Sequence, residues 1–253
     1  MVLPEALRFT TIVLISAVAG AMNAIAGGGT LLTFPALVGL GIPPIVANAT
    51  STVALWPGTL SSMWGYRGEL SGARQWAIGF AAPSLLGGGI GAWLLLRTPP
   101  SRFAALVPWL VLFATAVFFW GSFIRKTVEG APPLVGPRVA AAAQFLIAIY
   151  GGYFGGGIGF LMLAVLTIAG LPVRNASAGK NVLAVAMNFS AVAIFVFSRD
   201  VRWLHAAVLG SGGILGGIAG AALLPRVNEQ WLRIGVIVLG IALTAGLFLR
   251  GNH

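Results

Sequence analysis

The side chains able to do chemistry in this 253-residue chain are few, and their types narrow what that chemistry is. There is no cysteine, which excludes disulfides, thiolate metal sites and cysteine nucleophiles. The two histidines, His205 and the terminal His253, stand apart and form no metal-binding spacing. All five acids, Glu5, Glu69, Glu129, Asp200 and Glu229, fall at or beyond the ends of apolar stretches. Paired carboxylates, a metal-binding histidine motif and a serine with an adjacent base are all missing. The sequence therefore predicts no enzyme, no metal site and no cofactor.

What remains is one lysine, a set of neutral polar groups and glycine backbone. Lys180 lies within Ser177-Ala178-Gly179-Lys180-Asn181, inside a long apolar stretch. A charge in such a place marks a functional site by default, and a cation there suits an anion. Arg174 is only six residues earlier, so snorkelling of Lys180 to a nearby interface is the competing reading. A second polar run is Asn48-Ala49-Thr50-Ser51-Thr52. Thr52 and Thr59 are seven apart, as are Asn181 and Asn188, and positions seven apart share a helix face. These stripes read either as substrate contacts or as interhelical hydrogen bonds. Glycine clusters at Gly27-Gly28-Gly29 and Gly155-Gly156-Gly157 could break a helix and aim backbone N–H groups at an anion. Close helix packing through small residues is the alternative, and it is preferred for Gly87-Gly88-Gly89 and Gly216-Gly217.

The elements that must position these groups follow from composition. The chain is 58% hydrophobic and 8% charged, where a soluble domain of this length carries about 25% charged residues. A bilayer is the solvent that removes the need for them. The net charge of +10 is spread singly or in pairs between apolar stretches, as in membrane-helix flanks, and forms no nucleic-acid patch. The sequence predicts an all-α integral membrane protein with eight hydrophobic segments, near 8–40, 45–66, 73–96, 102–124, 138–170, 175–197, 202–224 and 230–250. The polar, proline-containing stretch 125–137 reads as a linker between residues 1–124 and 138–253.

The two parts repeat with one ungapped offset of 129. Gly27-Gly28 matches Gly156-Gly157, Gly41-Ile42-Pro43 matches Gly170-Leu171-Pro172, and Leu86-Gly87-Gly88 matches Leu215-Gly216-Gly217. Two homologous four-segment repeats are the expected organisation, as in many secondary transporters. The first segment of each is overlong: 33 residues of helix would run about 50 Å against a hydrocarbon core of about 30 Å. Each carries a glycine cluster inside, so each is predicted to be broken or re-entrant there. Single crossings would make the repeats parallel, and hairpins would make them inverted.

The chain resembles the sulfite exporter TauE/SafE family of bacterial membrane transporters. The residues that carry the resemblance are Ala26-Gly27-Gly28-Gly29, Pro35, Gly41-Ile42-Pro43 and Ala47-x-Ala49-Thr50-Ser51, then Gly155-Gly156-Gly157-Ile158-Gly159, Gly170-Leu171-Pro172 and Ala176-x-Ala178-Gly179-Lys180. The family pattern tends to place Thr-Ser or Ser-Asn pairs in both halves, whereas the second half here reads Gly179-Lys180-Asn181. The resemblance implies export of small sulfur-containing anions, such as sulfite or organosulfonates, across the bacterial cytoplasmic (inner) membrane. A transporter or channel for another small solute is the alternative. The candidate substrate-binding set is Gly27, Gly28, Gly29, Asn48, Thr50, Ser51, Thr52, Gly156, Gly157, Ser177, Lys180, Asn181 and Asn188. Expected partners are a small anion and the lipid bilayer, not nucleic acid. Coupling to Na⁺ and the oligomeric state stay open.

Overall fold

The computed structural model describes residues 5–25, 27–127, 133–223, 238 and 241. These residues form helices α1 (Glu5–Ile25), α2 (Thr30–Gly39), α3 (Pro44–Gly65), α4 (Leu70–Arg97), α5 (Pro100–Thr127), α6 (Pro137–Tyr153), α7 (Ile158–Ile168), α8 (Val173–Val196) and α9 (Trp203–Leu223). A 3-10 turn at Arg67–Glu69 joins α3 to α4, and there is no strand among the described residues. Four spans, Arg67–Arg97, Pro100–Val117, Val173–Val196 and Trp203–Gly220, are long and apolar enough to cross a membrane. The segment expected at 230–250 falls almost wholly outside the described residues.

The exterior is apolar. Trp64, Trp109 and Phe197 are 67%, 60% and 89% exposed, a distribution that water would penalise and lipid would not. Arginines stand over tryptophans at helix ends, Arg67 on Trp64 and Arg97 on Trp93, with cation to ring-centre distances of 5.0 and 5.1 Å. Such pairs suit the headgroup zone, where an aromatic ring is half-wet and a guanidinium remains solvated.

Both overlong segments are broken at their glycine clusters, and both double back. In the first, Gly29 lies against the backbone of Ala19, ten positions earlier, so α2 returns alongside α1. In the second, the Leu134 N–H donates to the Ile168 carbonyl at 2.9 Å. The end of α7 therefore reaches the chain just ahead of α6. Each unit is a helical hairpin with both ends on one side.

Both hairpins end in the same turn. Gly41 and Gly170 adopt φ +83° and +102°, a conformation glycine adopts without steric cost. Gly41 N–H bonds Val38 and Ile42 N–H bonds Leu37; Gly170 and Leu171 repeat the pattern on Thr167 and Leu166. This is the Schellman stop, which satisfies the last carbonyls of α2 and α7. Pro43 and Pro172, each at φ −54° and ψ 142°, then start α3 and α8.

The long helices interlock across the chain. α9 packs on α1 and α3, while α4 packs on α6 and α8. The glycines preferred as packing residues do this work. A Cβ on Gly216 would strike Ala17, one on Gly217 would meet Gly58, and one on Gly88 would strike Met187. Helices α3 and α8 are antiparallel: Arg174, at the start of α8, pairs with Glu69 just past the end of α3 at 2.7 Å. At the opposite side, the Arg202 N–H, beyond the end of α8, donates to the Thr50 hydroxyl near the start of α3 at 3.0 Å. Between these ends the Trp56 indole N–H donates to the Val185 carbonyl at 3.3 Å.

One boundary differs from expectation. α5 runs through Arg125 and Lys126 to Thr127, although both basic residues were expected in the linker. No glycine or proline interrupts the chain there before Gly130, and charge alone does not stop a helix.

Candidate functional site

The two hairpin tips meet. The Gly159 N–H, in the first turn of α7, donates to the Gly27 carbonyl at 3.2 Å. Gly27 adopts φ +73°, and a Cβ there would run into the Gly159 backbone. Gly155 and Gly157 are also left-handed, at φ +81° and +75°, and Gly155 lies beside Thr30 at the start of α2. Phe34 and Phe154 close the contact edge to face, with ring centres 5.5 Å apart. Gly27, Gly28, Gly29, Gly156 and Gly157 are all buried.

The start of α3 is held against the second hairpin. Asn48, 0% exposed, donates its side-chain amide to the Tyr153 carbonyl at 3.0 Å, and Tyr153 is the last residue of α6. That bond fixes the amide orientation, so Asn48 Oδ1 points away from Tyr153 as a pure acceptor. Asn48 Oδ1, Ser51 Oγ and Asn181 Nδ2 are all buried with no hydrogen-bond partner among the described residues. An unmet buried polar atom typically costs about 1–3 kcal/mol, so three within two helix starts is an anomaly that a bound species would relieve.

Lys180 is only 2% exposed. Protein encloses the side chain, which removes the snorkelling alternative. It shares a helix face with Leu183 and Met187, and Met187 rests on Gly151 near the tip of the second hairpin.

The polar stripes are not what they seemed from spacing. Thr52 bonds the Asn48 carbonyl, Thr59 that of Trp56, Ser61 and Ser62 that of Gly58, and Ser177 that of Val173. A hydroxyl inside a helix satisfies itself on its own preceding turn, so these bonds are intrahelical, neither interhelical bridges nor free donors. Asn188 is half-buried, on the α8 turn that carries Met187.

Two residues were not anticipated. Gln144, 0% exposed in α6, donates to the Ser84 hydroxyl of α4 at 3.0 Å and leaves its carbonyl oxygen unpaired. Tyr150 stacks against Phe113 with centres 5.2 Å apart, and its hydroxyl is buried without a partner. The available signal was modest: each is the polar break in an otherwise apolar run, Ala140 to Ile149 for Gln144 and its immediate continuation for Tyr150. Among the described residues, no group of three or more His, Cys, Asp or Glu could hold a metal ion.

Apolar spanning helices, paired hairpins and buried unmet polar atoms are the marks of a multi-pass membrane transporter. Residues 12–247 match the model of the sulfite exporter TauE/SafE family, and the chain belongs to that family of membrane transporters. It is 29% identical over 239 residues to a "probable membrane transporter protein ORF9" of a Sinorhizobium species, covering 93% of this chain and 90% of that one. A probable membrane transporter protein of Haemophilus influenzae is 29% identical over 231 residues, covering 90% and 89%. The probable membrane transporter protein YfcA of Escherichia coli K12 is 25% identical over 235 residues, covering 92% and 87%.

Proposed function

We propose that the chain is a secondary transporter that exports small sulfur-containing anions, such as sulfite or organosulfonates, across the bacterial cytoplasmic membrane. Its two halves are inverted repeats, and the anion binds between them, where the hairpin tips meet. The duplication is supported by the shared offset of 129, which also carries the Gly41 turn onto the Gly170 turn and Pro43 onto Pro172. Inversion is supported by the antiparallel course of α3 and α8.

The observation that carries the anion reading is Lys180, a cation 2% exposed, followed directly by Asn181 with its amide donor unmet. A cation enclosed in protein next to an unmet amide donor suits an anionic passenger. The family name favours sulfite-like oxyanions, and a planar or pyramidal oxyanion can accept from an ammonium and an amide together.

The test is a binding screen of the purified protein against sulfite, thiosulfate, sulfoacetate, taurine and small carboxylates. Saturable binding of a sulfur oxyanion with little response to carboxylates is the expected result. Binding confined to neutral solutes would sink the proposal.

A further inference from the structure

The polar run at the start of α3 divides into side chains that are met and side chains that are not. The Thr50 hydroxyl accepts from the Arg202 N–H, and the Thr52 hydroxyl donates to the Asn48 carbonyl. Asn48 Oδ1 and Ser51 Oγ have no hydrogen-bond partner among the described residues, and both residues are 0% exposed. Ser61, Ser62, Ser177 and Ser190 each bond a carbonyl three or four positions back. Ser51 does not, so its hydroxyl is left to donate or to accept. Residues three apart on a helix stand on one face, which makes Asn48 and Ser51 neighbours.

Asn48 lacks the freedom of Ser51. Its amide nitrogen donates to the Tyr153 carbonyl at 3.0 Å, and a carbonyl can only accept. Turning the amide over would set two acceptors against each other. Oδ1 is therefore held as an acceptor beside the end of α6, in the second hairpin, and only a donor can satisfy it. A bare oxyanion brings acceptors alone and would leave Oδ1 buried and unmet. An oxyanion that also bears an O–H or N–H answers both groups. Its hydrogen goes to Asn48 Oδ1, while one of its oxygens accepts from the Ser51 hydroxyl.

We propose that Asn48 and Ser51 select sulfur oxyanions that carry a hydrogen-bond donor of their own. Such a solute is the protonated monoanion of an oxyanion like sulfite, or a sulfonate bearing an amino group. This rests on the anion-transporter reading and narrows its substrate class. Asn48 is the specificity-determining residue, and Ser51 adds affinity for any oxyanion.

The experiment titrates sulfamate, methanesulfonate and sulfite into the full chain in detergent near neutral pH. Sulfamate and methanesulfonate are monoanions of nearly the same size and shape, one with an amino group where the other has a methyl. Sulfamate should bind roughly tenfold or more tightly, because methanesulfonate leaves a buried acceptor unpaired. Asn48→Leu should erase that preference. Ser51→Ala should weaken both anions several-fold and keep the ratio between them. The comparison in the unmodified protein depends on no variant folding. Equal affinities there overturn the proposal, since a trapped water or nothing then meets Asn48 Oδ1, and they leave the anion reading intact. A preference that persists in Asn48→Leu also overturns it, by placing the donor against another group. Binding of none of the three anions overturns the anion reading, and this proposal with it.

Discussion

The starts of α3 and α8 share a backbone pattern and differ in their side chains. Each follows a left-handed glycine and a proline of identical backbone angles, and each leaves a polar side chain unmet inside the protein. The two backbones run alike here, but the electrostatics differ. Asn48 leaves an acceptor oxygen unmet where Asn181 leaves a donor nitrogen unmet, and Lys180 adds a buried ammonium where α3 has the neutral Ser51. The backbone turn depends on glycine and proline, which both copies keep. The side chains one turn later are not tied to that turn, and there the two helix starts differ in polarity.

Removing the charge from one side should have the largest effect. Lys180→Met keeps length and apolar volume while deleting the ammonium. Losing a charge-assisted hydrogen bond typically costs about 1.5–3 kcal/mol, so anion affinity should fall roughly 10- to 100-fold with folding preserved. Isothermal titration with sulfite measures this, and unchanged affinity would remove Lys180 from the site.

The hairpin tips can be compared with the turns that follow them through two alanine substitutions. Gly27 and Gly41 both sit at positive φ, where a Cβ costs about 1–2 kcal/mol. Around Gly41 a Cβ would meet nothing within 4 Å, whereas at Gly27 it would strike Gly159. Gly41→Ala should therefore lower stability by the backbone strain alone, and Gly27→Ala by clearly more. Equal losses in chemical denaturation would show that the tips are not tightly packed.

The smallest effect is expected at the ends. Glu69 bonds Arg174 through Arg174 Nε at 3.0 Å and Nη2 at 2.7 Å, but the arginine side chain is 81% exposed. Solvent-exposed pairs are worth little, and salt screens them. Neutralising Glu69 and Asp200 together should leave transport largely intact in a flux assay. Strict dependence on a pH gradient, lost in that variant, would instead make these acids part of a proton path.

Much of the fold was legible in the sequence, for reasons that also set the limit. Segments of 33 residues cannot be straight crossings, and their glycines said where they break. Whether the break is a kink or a reversal depends on partners far away, such as Leu134 on Ile168 and Gly27 on Gly159, which no local pattern encodes. The candidate site was legible as residue types. Asn48, Ser51, Lys180 and Asn181 stood out as polar groups in apolar runs, and all four are buried. At Thr52, Thr59 and Ser177 the spacing did not show that each hydroxyl donates to its own helix, because spacing cannot distinguish a hydroxyl aimed at a neighbour from one bonded to the preceding turn. Gln144 and Ser84 escaped notice because their bond joins α6 to α4 across 60 residues.

The interlock of α9 with α1 and α3 bears on how the protein is made. When the ribosome has released the first hairpin and α3, the helix that packs on both has not been synthesised. Gly20 and Gly58 wait for Gly213, and the Thr50 hydroxyl waits for the amide of Arg202, 152 residues downstream. Contacts of such long sequence separation form late. Until then the polar start of α3 must be sheltered by the insertion machinery or by temporary partners, since lipid offers it none. The contacts of α1 and α3 with α9 cannot form before α9 is made. The packing of α1 and α3 is therefore completed only once α9 has entered the membrane.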